Sequence, residues 1–173
     1  MNSKDSEIVL EYTNRRYIED YIINNQKYLY RIAFSYVKNK DDAFEVVQNT
    51  IYKSLSSSRL IKDLNSVKPW VTRILINTSF NFLKKRYRDI TNDEVFDSVE
   101  DCNVSVLDKI ILKNALENLP IKLKTIVILR FFEDFKIKDI SNILDMNENT
   151  VKTNLYKALK ILKINLEEEG INV

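Results

Sequence analysis

A chain of 173 residues with 45% hydrophobic content suits one domain or two small ones, and is too apolar to be a disordered tail. With no histidine, one cysteine (Cys102) and one glycine (Gly170), it cannot build a His-dependent triad, a Cys/His zinc site, an internal disulfide or a Gly-rich phosphate loop. No catalytic residue, metal or cofactor is therefore expected, while the net charge of +2 conceals a strong segregation along the chain.

One glycine and two prolines leave few residues suited to tight turns and sheet corners, so the expected fold is all-α. No run of about 18 uncharged apolar residues could span a bilayer, and no basic-then-apolar leader opens the chain. Stable membrane insertion is not expected, and the expected location is the cytoplasm.

In "QKYLYRIAFSYVKN", Leu29, Ile32, Ala33 and Tyr36 fall at i, i+3, i+4 and i+7, one face of a helix. Asn39 and Lys40 break the pattern, and Asp41 or Asp42 is expected to cap the next helix. That helix, "DDAFEVVQNTIYKSL", is expected to bury Ala43, Val46, Val47 and Ile51 and to turn Glu45, Gln48, Asn49 and Tyr52 the other way. A serine-rich break, "SSSRLIKDLNS", follows at 56 to 66.

A third helix is expected to begin near Pro69, whose missing N–H costs nothing in a first helical turn. Its apolar face is Val71, Ile74, Leu75, Thr78 and Phe82. Its polar face is Arg73, Asn77, Asn81, Lys84 and Arg88, one continuous stripe in a segment, 69 to 88, without any acid. Solvated helix faces usually mix signs to gain i,i+4 ion pairs, so a stripe of one sign ending in "KKRYR" favours a polyanion over mere solubility. Trp70 and Phe82 are expected in the core; Phe80 and Tyr87 could pack there or stack on unpaired bases.

Residues 89 to 108 reverse the charge, with seven acids and no Lys or Arg. The stretch also lacks a sustained 3.6-residue period and is expected to be a flexible linker, the alternative being a solvated loop within one domain. Beyond it, "DKIILKNALENL" reads as a helix ended by Leu119-Pro120, and "IKLKTIVILRFF" as a helix apolar nearly all round and so the most buried of its lobe.

Ile137, Ile140, Ile143 and Leu144 then make a short amphipathic helix, Asp145 to Asn147 a tight turn, and Glu148 the first turn of a longer helix. This is the pattern of a helix-turn-helix. On the longer helix Val151, Leu155, Ala158, Leu159 and Leu162 share an apolar arc. No acid occurs from Thr150 to Lys163. The start of such a second helix enters the major groove, so Asn149, Thr150, Lys152, Thr153, Tyr156, Lys157 and Lys160 are placed to touch bases or phosphates. Lysines are expected to supply affinity, and Asn149, Thr150, Thr153 and Tyr156 discrimination.

Two helical lobes with a basic stripe each, joined by an acidic connector, resemble in order the small bacterial sigma factors of the extracytoplasmic-function type, group 4 of the sigma-70 family. "DDAFEVVQNTIYKSL" is similar to that family's polymerase-binding helix, "PWVTRILINTSFNFLKKRYR" to its minus-ten helix, and residues 119 to 162 to its minus-thirty-five domain. Asn49 stands where the family usually has an acid, Asp145 where it often has glycine, and lysines where it often has arginines.

The resemblance implies region 2 at 14 to 88, a flexible acidic linker at 89 to 111, and region 4 at 112 to 168. It implies a factor that binds core RNA polymerase, at its clamp helices and flap, and promoter DNA, with an anti-sigma factor as inhibitor. Asp42, Glu45, Gln48 and Asn49 would meet the polymerase. Arg73, Asn77, Asn81, Lys84 and Arg88 would hold the melted minus-ten strand, with Ser57, Ser58, Arg59, Leu60 and Lys62 forming a pocket for a flipped base. Rival readings are a free-standing, dimeric helix-turn-helix regulator and an all-helical adaptor that binds no DNA.

Overall fold

The structure is a computed structural model that describes residues 3 to 89 and 114 to 168. The chain divides into two compact units, Met1–Glu100 and Asp101–Val173, and all regular structure among the described residues is helical. The acidic stretch read as a linker lies, apart from its first residue, outside the described residues.

Four helices build the first unit: α1 (Ser3–Asn24), α2 (Gln26–Val37), α3 (Lys40–Ser56) and α4 (Val67–Asp89). The turn between α1 and α2 is closed locally, because Asn25 donates from its side-chain amide to the Tyr21 carbonyl at 2.7 Å. Lys38 ends α2 in the left-handed region, φ 57°, with its N–H on the Phe34 carbonyl.

Asn39, not Asp41 or Asp42, caps α3: its side-chain oxygen accepts from the amides of Asp41 at 2.9 Å and Asp42 at 3.1 Å. The two acids sit one and two residues inside the helix start, where their charge complements the dipole without satisfying an orphan amide.

Leu29, Ile32 and Ala33 of α2 are buried with Ala43 and Val46 of α3 and Val71, Leu75 and Ile76 of α4, and Ile18 and Ile22 of α1 join them. The expected inward set of α3 needs correction: Val47 and Ile51 are half-buried, whereas Thr50 and Ser54 are buried. The Thr50 hydroxyl is satisfied by the Val46 carbonyl of the preceding turn at 2.7 Å, so its burial leaves no orphan donor.

Helix α4 starts at Val67, two residues before Pro69, after a 3₁₀ turn (Leu64–Ser66) that Asp63 caps by accepting from the Asn65 amide. Because α4 packs against α1, α2 and α3 at once, its buried arc is wider than a two-sided pattern suggests and takes in Thr72, Ser79 and Ile76. Trp70, Ile74 and Phe82 lie at its half-buried edges, and Phe80 sets its ring edge-on to Tyr36.

In the second unit a helical turn at 114 to 117 precedes Pro120, then α5 (Ile121–Val127), α6 (Ile137–Leu144) and α7 (Glu148–Glu168). Ala115, Leu119, Leu123 and Val127 pack on Ala158 and Leu162 of α7. Buried Ile126, Leu129, Ile140, Ile143 and Val151 complete the core.

The segment "IKLKTIVILRFF", expected as the most buried helix of its lobe, is buried at Leu123, Ile126, Val127 and Leu129 but not at its end. Past Val127 the helix widens into a π-turn (Ile128–Phe132), closed by the Glu133 amide on the Ile128 carbonyl. The wider turn leaves Phe131 and Phe132 58% and 55% exposed. Leu159 likewise lies at the surface and Leu155 at its edge, since α5 and α6 cover α7 from one side only.

Candidate nucleic-acid interfaces

On α4 the stripe stands as the spacing predicts: Arg73, Asn77, Asn81, Lys84 and Arg88 are all exposed, opposite buried Val71, Leu75 and Thr78. Steps of three and four residues keep them on one side of the helix, with two amides between one cation and a terminal pair of cations over about four turns. Cations suit phosphates, and side-chain amides can bond unpaired base edges.

Arg86 departs from that side. Half-buried, it forms an ion pair with Asp42 at the start of α3. This pair ties the end of the basic helix to the start of the acidic one. It also engages Asp42 within the unit, so that the outward polar face of α3 consists of Glu45, Gln48 and Asn49.

Exposed Phe44 and Tyr52 flank Gln48 one turn to either side, and Phe44 lies 4.9 Å from the ring of Tyr30. Reading 40 to 56 for its buried stripe assigned Phe44 no role, although an aromatic on the polar side of an amphipathic helix was itself the signal.

The segment between α3 and α4 turns tightly in a 3₁₀ helix (Ser58–Leu60). It does not present its residues uniformly. Ser58 is 1% exposed and Ser57 half-buried, whereas Arg59, Leu60 and Lys62 face solvent, Leu60 at 64%. Beneath it lies Asn14 of α1, 2% exposed, whose side-chain amide donates to the carbonyls of Ser58 at 3.2 Å and Ile61 at 2.9 Å. Sequence reasoning missed this residue. The available signal was the run Asn14, Ile18, Ile22, at steps of four, which marks one side of a helix.

In the second unit α6, a three-residue turn and α7 form the helix-turn-helix. Asp145 takes the left-handed position, φ 55° and ψ 49°, with its N–H on the Ser141 carbonyl, and the Met146 amide bonds the same oxygen at 2.9 Å. Aspartate tolerates that region better than most residues, which suits it to the position where glycine is the usual choice. Asn147 caps α7, its side-chain oxygen accepting from the Thr150 amide at 2.7 Å.

Val151 anchors the start of α7 in the core, and this sets the helix rotation. Asn149, Lys152, Thr153, Tyr156, Lys157 and Lys160 are exposed in consequence, and Thr150 half-buried. Tyr156 is 74% exposed in the middle of the cationic side.

Among the described residues no group of His, Cys, Asp and Glu could hold a metal ion, and no helix is long and apolar enough to cross a membrane. Each unit thus presents an acid-free helix side whose opposite side is locked in a core.

Residues 22–89 match the family model for Sigma-70 region 2, and residues 109–162 that for Sigma-70, region 4. RNA polymerase sigma factor SigV of Bacillus subtilis is 41% identical over 152 residues, spanning 87% of this chain and 92% of that protein. The ECF RNA polymerase sigma-E factor of Haemophilus influenzae is 25% identical over 142 residues, 72% of this chain and 75% of its own. In fold the chain is similar to the sigma factor RpoE of Bartonella quintana, solved in complex with the anti-sigma factor NepR. The TM-score is 0.75 at 23% identity, over 86% of this chain and 96% of that one.

Proposed function

The chain belongs to the sigma-70 family, and from that premise we propose that it acts as an alternative sigma factor of the extracytoplasmic-function type, selecting promoters for core RNA polymerase at minus-thirty-five and minus-ten elements. The observation that carries the reading is the pair of acid-free polar helix sides, on α4 and on α7, one in each compact unit. A free-standing dimeric regulator needs only one such surface per chain, and an adaptor needs neither.

The domain bounds proposed are 14 to 88 for core binding and minus-ten recognition, 89 to 111 for the connector, and 112 to 168 for minus-thirty-five recognition. Glu45, Gln48 and Asn49 would meet the polymerase clamp helices, with Phe44 and Tyr52 extending the contact; Asp42 would act mainly by orienting the helix start through Arg86. Lys84 and Arg88 would hold the minus-ten backbone while Arg73, Asn77 and Asn81 engage unstacked bases, and Arg59, Leu60 and Lys62 border a base lifted from the strand. Ser57 and Ser58 would shape that border from below.

On α7, Asn149, Thr150, Thr153 and Tyr156 would read base edges, and Lys152, Lys157 and Lys160 neutralise phosphates. The chain would make and break no covalent bond. Binding free energy at two promoter elements, together with capture of unstacked bases, positions the DNA for the polymerase in the cytoplasm. An anti-sigma partner, of the kind bound to RpoE, would silence it by covering these surfaces.

Transcription from a pool of promoter fragments randomised at both elements, with purified core polymerase and with or without this chain, tests the reading. Start sites that depend on the chain are expected. None on any fragment would sink the proposal.

A further inference from the structure

We propose that Asn14 is a positioning residue for promoter recognition: from α1 it holds the turn between α3 and α4 in one conformation, so that Arg59 and Leu60 form a rigid edge for reading DNA. The inference rests on the role given above to residues 57 to 62.

A primary amide carries two N–H donors on one nitrogen, and both carbonyls that Asn14 reaches lie on this turn. The carbonyls of Ser58 and Ile61 bracket Arg59 and Leu60, so the two outward residues are clamped from either side. The Ser58 carbonyl also takes the Ile61 amide at 3.3 Å, so the shorter bond, to the carbonyl of buried Ile61 at 2.9 Å, is the one whose loss would leave a buried acceptor without its donor, which is strongly disfavoured. The turn's own hydroxyl does not supply the anchor, since Ser58 Oγ is buried without a partner, as is Ser54 Oγ one turn earlier.

Asn14 is fixed in turn by Ile18 and Ile22, buried one and two helical turns further along α1. Leu60, by contrast, is an apolar side chain facing water, which is what a surface awaiting a base requires. Ordering the turn before DNA arrives removes that entropic cost from binding. Asn14 lies upstream of the stretch 22–89 that the region 2 family model matches, on the helix that runs into it.

The test is transcription by core polymerase with this chain on fragments randomised at both promoter elements, sequencing the transcripts to obtain base preferences at every position. Asn14→Ala is expected to flatten preference at one or more minus-ten positions by about five-fold, the loss of one or two hydrogen bonds, and to leave the minus-thirty-five preferences intact. Leu60→Ala, at an exposed site, is expected to flatten the same positions. If Leu60→Ala acts and Asn14→Ala does not, the positioning role is overturned while the loop reading stands. If neither acts, both are wrong. An equal fall at both elements would mean that Asn14 merely stabilises the unit, and would also overturn the proposal. Should Asn14→Ala fail to fold, Asn14→Ser, which keeps one donor, is read by the same outcomes.

Discussion

Lys157 and Thr153 stand one helical turn apart on the exposed side of α7, and their chemistry divides the work between them. A lysine ammonium is a mobile point charge that neutralises a phosphate wherever one lies in reach. Lys157→Ala should therefore weaken promoter binding by the holoenzyme about equally for all sequences and lower the slope of log affinity against log salt by about one. Thr153, short and half apolar, can bond one base edge or touch a thymine methyl. Thr153→Ala should relax preference at one minus-thirty-five position, by about 1 kcal/mol, without altering the salt slope. Salt titrations of both variants separate the roles, and a sequence-selective effect of Lys157→Ala would contradict the phosphate assignment.

Helix α5 and its π-turn show how a run of apolar residues can be split by geometry. Leu129 is fully buried, yet Phe131 and Phe132, two and three positions on, face solvent. Truncating Leu129 opens a cavity in the core of the second unit, so Leu129→Ala should cost about 2–5 kcal/mol in denaturant unfolding. Phe132→Ser should stay within about 0.5 kcal/mol despite replacing the larger side chain. Comparable losses from the two would show that Phe132 is packed in solution. At α3 Asn39 supplies the cap expected of Asp41 or Asp42, and those acids supply charge in the first turn.

At the scale of the whole chain the distribution of charge is the controlling feature, since the total is only +2. Seven acids between residues 89 and 108 follow directly on a helix that ends in "KKRYR". On bare duplex DNA these acids are expected to oppose the lysines of α7 and so to keep the affinity of the isolated chain low. Replacing Asp93, Glu94, Asp97, Glu100 and Asp101 by Asn or Gln should raise the affinity of the isolated chain for duplex DNA several-fold at low salt, and the gain should shrink as salt rises. Fluorescence anisotropy with a labelled duplex measures both. Unchanged affinity would remove the connector from this account.

Composition and local pattern were enough to determine the all-helical fold, the division into two lobes, both polar stripes and the helix-turn-helix. The fold class followed from the scarcity of glycine and proline, and the two lobes from the acidic, aperiodic stretch between them. The stripes and the helix-turn-helix depend on residues three or four apart, or on a turn residue such as Asp145, which helix geometry places without help from the rest of the chain. Arg73 to Arg88 and Lys152 to Lys160 were legible for that reason. What the tertiary structure alone decided are the contacts between distant residues. Asn14 meets carbonyls 44 and 47 positions away, and Arg86 meets Asp42 across 44. Packing of α4 on three helices buries Thr72 and Ser79, which two-sided periodicity counts as polar. The widened turn after Val127 puts two phenylalanines in water. Periodicity shows which side of a helix is apolar. How far that side is covered, and which buried amide reaches which carbonyl, depends on where the other helices come to rest.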